Sequence, residues 1–184
     1  MKVYTLRRTM PPYVKTAFRP SASKLCLIII RMQALELKIP PPAVAALMAV
    51  VMWGISALAP LIEVPALVRV FAAALIAVAG GVFSIAGIIS FRLARTTINP
   101  MKPETTTSLV CSGIYRLTRN PMYVGLLFVL VAWAVFLSSA WALLGPLAFV
   151  SCINQFQIAP EERVLSALFG TEYSAYKSTV RRWL

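Results

Sequence analysis

The chain has 184 residues, of which 59% are hydrophobic and 13% charged, whereas about 25% of residues are charged in an average soluble domain. Together with a mean hydropathy of +0.78, this composition excludes a disordered chain, a coiled coil and an ordinary soluble enzyme, and it favours a membrane protein. Histidine is absent, which excludes Ser–His and Cys–His nucleophile pairs and a His-ligated zinc site. The three cysteines lie far apart without CxxC spacing, so we expect neither a disulfide framework nor a metal site.

The first 31 residues form a basic extension without a sustained apolar period. We expect either a disordered arm or a translation start at Met32, and a single membrane domain over residues 32–184. Three consecutive prolines from Pro40 are expected to delay the first helix until Ala43.

Apolar runs predict four membrane spans in an all-α polytopic protein, because about 20 helical residues cross a bilayer. The predicted spans cover residues 43–62, 66–91, 122–137 and 141–158. Ser138 and Ser139 are expected to form the hairpin turn between the last two, and Pro146 to kink the fourth. Two cytoplasmic helices are predicted within residues 160–182, the first beginning at Pro160 and the two separated by Gly170.

The cations indicate the orientation of these spans. In the four-span arrangement, 17 of the 18 Lys and Arg residues fall on one side, and Arg69 falls on the other. The positive-inside rule then predicts cytoplasmic termini, in what we expect to be a bacterial inner membrane. The same distribution makes the bilayer, rather than nucleic acid, the expected partner of the basic charge. It leaves the oligomeric state open.

Two polar segments, residues 92–120 and 160–184, are predicted to meet on the cytoplasmic face. Asn120 is placed to cap a helix beginning at Pro121, and the N-terminus of a helix binds carboxylates. The rings of Tyr115 and Tyr123 can face a cationic ligand. Two glutamates, beginning with Glu161, emerge where the fourth span leaves the bilayer, which makes this a candidate site.

Two motifs carry a resemblance to a known family. They are S-G-I-Y-x-x-x-R-N-P-M-Y-x-G from Ser112 and, after an apolar hairpin, E-E-x-x-L-x-x-x-F-G-x-E-Y from Glu161. In this order and at this separation they resemble the isoprenylcysteine carboxyl methyltransferase family, part of the same membrane superfamily as the phospholipid methyltransferases. The resemblance covers about residues 96–184 and implies a polytopic helical enzyme that uses S-adenosylmethionine.

The resemblance also implies which residues form the site. Carried over by position, the cofactor-binding residues are Ser108, Leu109, Val110, Tyr115, Asn120, Pro121, Met122, Tyr123 and Glu161. The candidate catalytic residues are Arg119, Asn120 and Gln157. Asn120 stands where the family often has His, and Gln157 stands where eukaryotic members have Arg. Arg119, Gln157 and Arg116 are expected to orient the methyl acceptor.

Several functions are compatible with these features. Because the site offers little general-base power, we expect O-methylation of a carboxylate on a lipid-like or prenylated substrate, with phospholipid N-methylation as the alternative. A membrane reductase is a further alternative, since sterol reductases carry a related motif, R-H-P-N-Y-x-G-E. In this chain Leu126 follows Gly125 where that motif has Glu. A small transporter is also possible, although the predicted spans contain no acidic residue in their interior.

Overall fold

A computed structural model describes residues 36–94 and 109–184. The basic extension at residues 1–31 and the predicted cofactor residue Ser108 lie outside these ranges. Within them the chain forms helices, turns and loops without a β-strand. The all-α prediction is therefore confirmed.

Five α-helices carry most of the described chain. They are α1 (Pro41–Leu58), α2 (Ala66–Leu93), α3 (Pro121–Leu137), α4 (Leu144–Ile153) and α5 (Ala159–Thr179). Short 3-10 turns at Gly113–Arg116 and Ala140–Leu143 precede α3 and α4. A π-helical segment, Asn154–Ile158, joins α4 to α5 without a break.

Three helical stretches are long and apolar enough to cross a membrane, and a fourth is nearly so. The three are Pro41–Leu58, Ala66–Leu93 and Ala140–Thr179, while α3 is equally apolar but has 17 residues. The chain is thus an integral membrane protein. In the longest stretch charged residues begin at Glu161, so we place the end of the membrane-crossing part at Ile158 and treat α5 as lying beyond it.

Both ends of α1 differ from the sequence-based expectation. The helix begins at Pro41 rather than Ala43, because the first turn of a helix needs no backbone N–H and accepts proline. It ends at Leu58, four residues before the expected end, and residues 59–65 connect it to α2.

Pro160 lies in the first turn of α5, within one residue of its expected position, but the helix is continuous with the π segment before it rather than newly begun. A proline inside a helix leaves the carbonyl four residues earlier without its N–H partner. Here that carbonyl belongs to Phe156, and it accepts a hydrogen bond from the Leu37 backbone N–H at 3.1 Å. The adjacent Glu36 forms an ion pair with Arg163, so residues before α1 stabilise this unusual passage.

The other expected interruptions divide into two groups. Pro146, expected to kink the fourth span, lies in the first turn of α4, where proline is tolerated. Gly170 does interrupt α5, with φ 48° and ψ −115°, a conformation that favours glycine. Ser138 forms the expected turn after α3 in the left-handed conformation, with φ 52°. The last helix ends at Thr179, earlier than the expected Arg182.

The tightest helix contact joins α2 to α3 along a seam of small residues. A Cβ atom built on Gly80 would lie 2.7 Å from the Gly125 carbonyl oxygen, and one built on Gly125 would collide with Ser84. Small residues at such seams let helix backbones approach closely in membranes. The seam fixes the start of α3 against the end of α2, where the polar segments gather.

Candidate active site

The polar end of the helix bundle is closed by the last residues of the chain. The Arg119 backbone N–H donates to the Arg181 carbonyl at 3.0 Å. The Thr118 hydroxyl and the Asn120 side-chain amide both donate to the Arg182 carbonyl, at 3.2 and 2.9 Å. The C-terminal strap, which we define as residues 180–184, therefore holds the loop that enters α3.

Asn120 occupies the expected N-cap position, but its side chain makes no capping hydrogen bond. Its amide instead donates to the Arg182 carbonyl, and its own backbone N–H is bound by the Thr118 hydroxyl at 3.2 Å. The expected side-chain cap is thus wrong, because the strap takes the amide. In this structure Asn120 connects the loop before α3 to the strap, and its catalytic role stays a prediction.

A buried polar cluster lies where α3 begins and α5 begins. The Tyr123 hydroxyl donates to Glu161 Oε2 at 3.2 Å, and the buried Gln157 side chain lies within hydrogen-bonding reach of the same hydroxyl. Tyr115, also buried, is close enough for its hydroxyl to interact electrostatically with Glu161. Four of the residues taken from the family resemblance thus meet at one place.

Burial raises the pKa of Glu161 to about 7, although the hydrogen bond from Tyr123 acts in the opposite direction. The neighbouring Glu162 contributes to the rise by repulsion. A carboxyl group with a pKa near neutrality can hold or release a proton at physiological pH.

The π segment explains how Gln157 reaches this cluster. Single turns of π-helix are rare in proteins, and those that occur are often found at functional sites. In this chain the π segment covers Asn154–Ile158 and is followed directly by α5. It places Gln157 near Tyr123 and leaves Asn154 to accept a hydrogen bond from the Trp183 indole at 3.1 Å.

Glu162 faces a different set of partners from Glu161. It receives a bidentate contact from Arg182, whose Nε lies 3.1 Å from Oε1 and whose Nη2 lies 2.7 Å from Oε2. Nη2 of Arg119 lies 3.2 Å from Glu162 Oε1. The paired carboxylate is largely buried, with 12% of its side chain exposed, so it is a structural anchor for both arginines.

Arg119 has hydrogen-bonding capacity left over. Its side chain is 11% exposed, and its Nε and Nη1 atoms are buried without an acceptor in residues 36–94 and 109–184. Guanidinium always carries its charge, and each of these free N–H groups can donate to an oxygen of a carboxylate or phosphate. A buried donor without a partner is costly, so the arrangement is suited to an anionic ligand group.

Two tyrosines of α5, Tyr173 and Tyr176, interact with residues of this polar cluster. Burial, the largest cause, and the charges of Glu162 and Glu161 raise the pKa of Tyr173 to about 12, while the charge of Arg119 and its hydrogen-bonding contact with the Tyr173 hydroxyl act in the opposite direction. The Tyr176 hydroxyl donates to the Tyr115 carbonyl at 2.7 Å. Both tyrosines are thus neutral at physiological pH and act as hydrogen-bonding groups.

The remaining predicted cofactor residues serve packing in this structure. Pro121 and Met122 lie against Gly87 of α2, Val110 is buried and Leu109 is half-buried. Arg116, expected to orient the acceptor, is exposed. Their roles toward a ligand stay predictions.

Sequence reasoning missed the contribution of Arg182, Thr118 and Trp183. The one sequence feature that could have indicated this contribution is the Arg181–Arg182–Trp183 run, because these cations follow a segment that contains three glutamates. Nothing in the sequence indicated that the strap would return to the start of α3.

Residues 68–172 match the phospholipid methyltransferase family. The chain belongs to this family. It is also 52% identical over 63 residues to an uncharacterized protein of Haemophilus influenzae, a match that covers 34% of this chain and 100% of that protein. No solved structure matches the chain. Membership identifies a membrane methyltransferase that acts on lipid-like substrates.

Proposed function

We propose that this methyltransferase transfers a methyl group from S-adenosylmethionine to a carboxylate carried by a lipid-like substrate. The observation that carries the proposal is Arg119, a nearly buried cation with two N–H groups that lack an acceptor among the described residues. A carboxylate acceptor would supply the charge and an oxygen for one of these groups, since Nε and Nη1 point away from different edges of the guanidinium group.

The cluster around Glu161 fits the cofactor. S-adenosylmethionine, when bound, supplies an electrophilic methyl group on a sulfonium centre. The rings of Tyr115 and Tyr123 suit a cationic sulfur, and Glu161 can accept hydrogen bonds from an amino or hydroxyl group. Both aromatic rings are buried, so water would be excluded from the reacting atoms.

The chain's own residues would act mainly by positioning. Arg119 would hold the acceptor carboxylate, while Glu162 and Arg182 fix the guanidinium plane. Gln157 would orient the acceptor from the π segment, next to the Tyr123 hydroxyl. A carboxylate is already ionised at neutral pH, so no proton has to be removed, and alignment can provide the rate enhancement.

Orientation and domain extent belong to the same proposal. We place the site and both termini on the cytoplasmic side of the bacterial inner membrane, because 17 of 18 cations fall there in the four-span arrangement. Residues 32–184 would form the methyltransferase domain, and the extension before them would contribute no site residue.

A second function, N-methylation of a phospholipid amine, is favoured by one observation. An amine must lose a proton before it accepts a methyl group, and Glu161 with a pKa near 7 can take it. The hydrogen bond from Tyr123 holds that carboxyl group in place. The sequence suggested that the site offers little general-base power. This holds for Glu162, which forms ion pairs with two arginines, more than for Glu161.

The two functions are separated by incubating membranes that contain the full chain with S-adenosylmethionine labelled in its methyl group. Lipids are extracted and treated with mild alkali. A methyl ester releases volatile labelled methanol, and we expect this result. Base-stable label in the lipid fraction would overturn the carboxylate proposal in favour of N-methylation.

Matched variants connect the result to the site. Arg119→Gln should reduce the alkali-volatile label about 30-fold or more, whereas Arg181→Gln, at an exposed side chain of the strap, should retain it. Failure to form S-adenosylhomocysteine with any added lipid, in membranes where the folded protein is present, would contradict both functions.

A further inference from the structure

A lateral groove crosses the membrane-spanning part of the bundle, away from the candidate active site. It lies between α1 and α2, with α3 as its floor, and it has a volume of about 660 Å³. Small side chains line both walls, among them Ala45, Ala49, Ala73 and Ala77, and aromatic side chains of Trp133 and Phe136 lie along α3. The groove is apolar throughout, so its occupant in a bilayer is hydrocarbon.

One end of the groove carries a cation. Arg69 precedes the groove residue Val70, and its guanidinium carbon lies 5.6 Å from the centre of the Phe136 ring, itself part of the groove lining. Arg69, Ala73 and Ala77 are spaced four residues apart, which places them on one face of α2. The cation therefore stands at the head of the row of small residues.

Arg69 is incompletely satisfied by the described protein. Its Nε atom is buried without a hydrogen-bond acceptor in residues 36–94 and 109–184, and none of the ion pairs found there includes it. A cation–π contact does not replace an acceptor for a buried N–H. A ligand that matches this place has an anionic oxygen group at one end and an apolar chain at the other.

The dimensions agree with a single membrane leaflet. From Arg69 to Ala77 the axis of α2 rises about 12 Å, at about 1.5 Å per residue. Half of a hydrocarbon core is about 15 Å thick. A phosphate at Arg69 would thus allow one acyl chain to run along the alanines toward the bilayer centre.

We propose that this groove is a binding site for an anionic phospholipid, with its phosphate on Arg69 and one acyl chain between α1 and α2. The site is distinct from the methyl-transfer site, because Arg69 lies near the beginning of α2 and the active-site loop follows the end of the same helix. Arg92, at that other end, is about 35 Å away along the helix axis. The bound lipid would occupy the leaflet opposite to the active site.

Native mass spectrometry of the full chain released from nanodiscs tests the proposal. The nanodiscs contain equal amounts of phosphatidylglycerol and phosphatidylcholine with identical acyl chains. We expect one phosphatidylglycerol to be retained in preference, and Arg69→Gln to reduce that preference about tenfold, the loss typical of one charge-assisted hydrogen bond. Arg92→Gln is the matched control on the same helix, and it should leave the preference unchanged.

A second variant tests the groove independently of the charge. Ala74 lines the groove and is exposed on the surface of the bundle, so Ala74→Phe fills the groove without disturbing the core. It should remove the retained lipid while Arg69 is intact. Equal retention of both lipids by the unaltered protein would overturn the proposal, as would retention unaffected by both Arg69→Gln and Ala74→Phe.

Discussion

The two ends of the helix bundle are held together in different ways. At the polar end, side chains of the loop before α3, of α3 itself, of α5 and of the strap form partly buried ion pairs and hydrogen bonds centred on Glu161 and Glu162. At the opposite end, Ile62 and Ser138 pair through the Ile62 backbone N–H and carbonyl, with both distances at 2.7 Å. There Arg69 is a cation that no described acid accompanies.

The difference separates what folding requires from what function requires. The opposite end shows that a turn between two spans can be closed by neutral hydrogen bonds and packing. The polar end contains several buried charged groups, which are expensive to bury unless they are paired. Glu162 is paired with two arginines and anchors the strap, whereas no ion pair among the described residues includes the buried Glu161, so the burial of Glu161 is the feature that the proposed ligand site would explain.

The largest expected effect concerns the buried carboxyl of Glu161. Its pKa in the folded state, about 7, exceeds the ordinary value of 4.5 because of burial. The folded state therefore binds the proton more strongly, and stability falls as pH rises from about 4.5 to about 7, by about 3 kcal/mol in total. Glu161→Gln removes this dependence, so the variant should gain thermal stability over the unaltered protein between about pH 5 and pH 8.

Unfolding midpoints in detergent across that pH range measure this effect. Glu172→Gln, at an exposed carboxylate of the same helix, is the control and should follow the unaltered protein. Parallel pH profiles for Glu161→Gln and the unaltered protein would show that the carboxyl is solvated, and would remove the contrast between the two ends.

The next effect sharpens the role of the polar end in activity. Arg119→Gln removes the positive charge that lies 3.2 Å from Glu162. It also removes the two N–H donors, at Nε and Nη1, that lack an acceptor among the described residues. We expect a loss of about 2–3 kcal/mol in transition-state binding, or about 30- to 160-fold in kcat/KM. Arg119→Lys should recover little of it, because an ammonium group cannot keep the contact with Glu162 and also present further donors in a fixed plane. Activity unchanged by Arg119→Gln would assign the residue to structure alone.

A smaller effect tests the seam that connects the two ends. Gly80→Ala places a Cβ atom 2.7 Å from the Gly125 carbonyl oxygen, whereas Gly81→Ala on the same helix meets nothing within 4 Å. Overpacking of this kind costs about 1–3 kcal/mol, so Gly80→Ala should lower the unfolding midpoint in detergent and Gly81→Ala should not. Equal midpoints would mean that α2 and α3 separate more easily than the structure indicates.

The sequence predicted the helices well and the internal contacts of the site only in part. Apolar runs and Ser138 predicted the four apolar helical segments and the turn, because span length and turn chemistry are local properties. The π passage through Pro160 was missed, because it depends on Leu37 donating to Phe156 from more than a hundred residues away. Likewise, the sequence placed Asn120 at the N-cap position but gave no sign that Arg182 would take its amide.

The smallest predicted effect tests the strap itself. The Trp183 indole donates to the Asn154 side-chain oxygen at 3.1 Å, which links the end of the chain to the π segment beside Gln157. Trp183→Phe keeps the aromatic ring and removes this donor, at a cost of about 1 kcal/mol. Trp53→Phe, at a tryptophan that is 61% exposed on α1, is the control. If the strap positions the site, Trp183→Phe should lower the affinity for S-adenosylhomocysteine, measured by calorimetry in detergent, by about fivefold. A lower unfolding midpoint with unchanged affinity would instead show that the strap stabilises the polar end without shaping the ligand site.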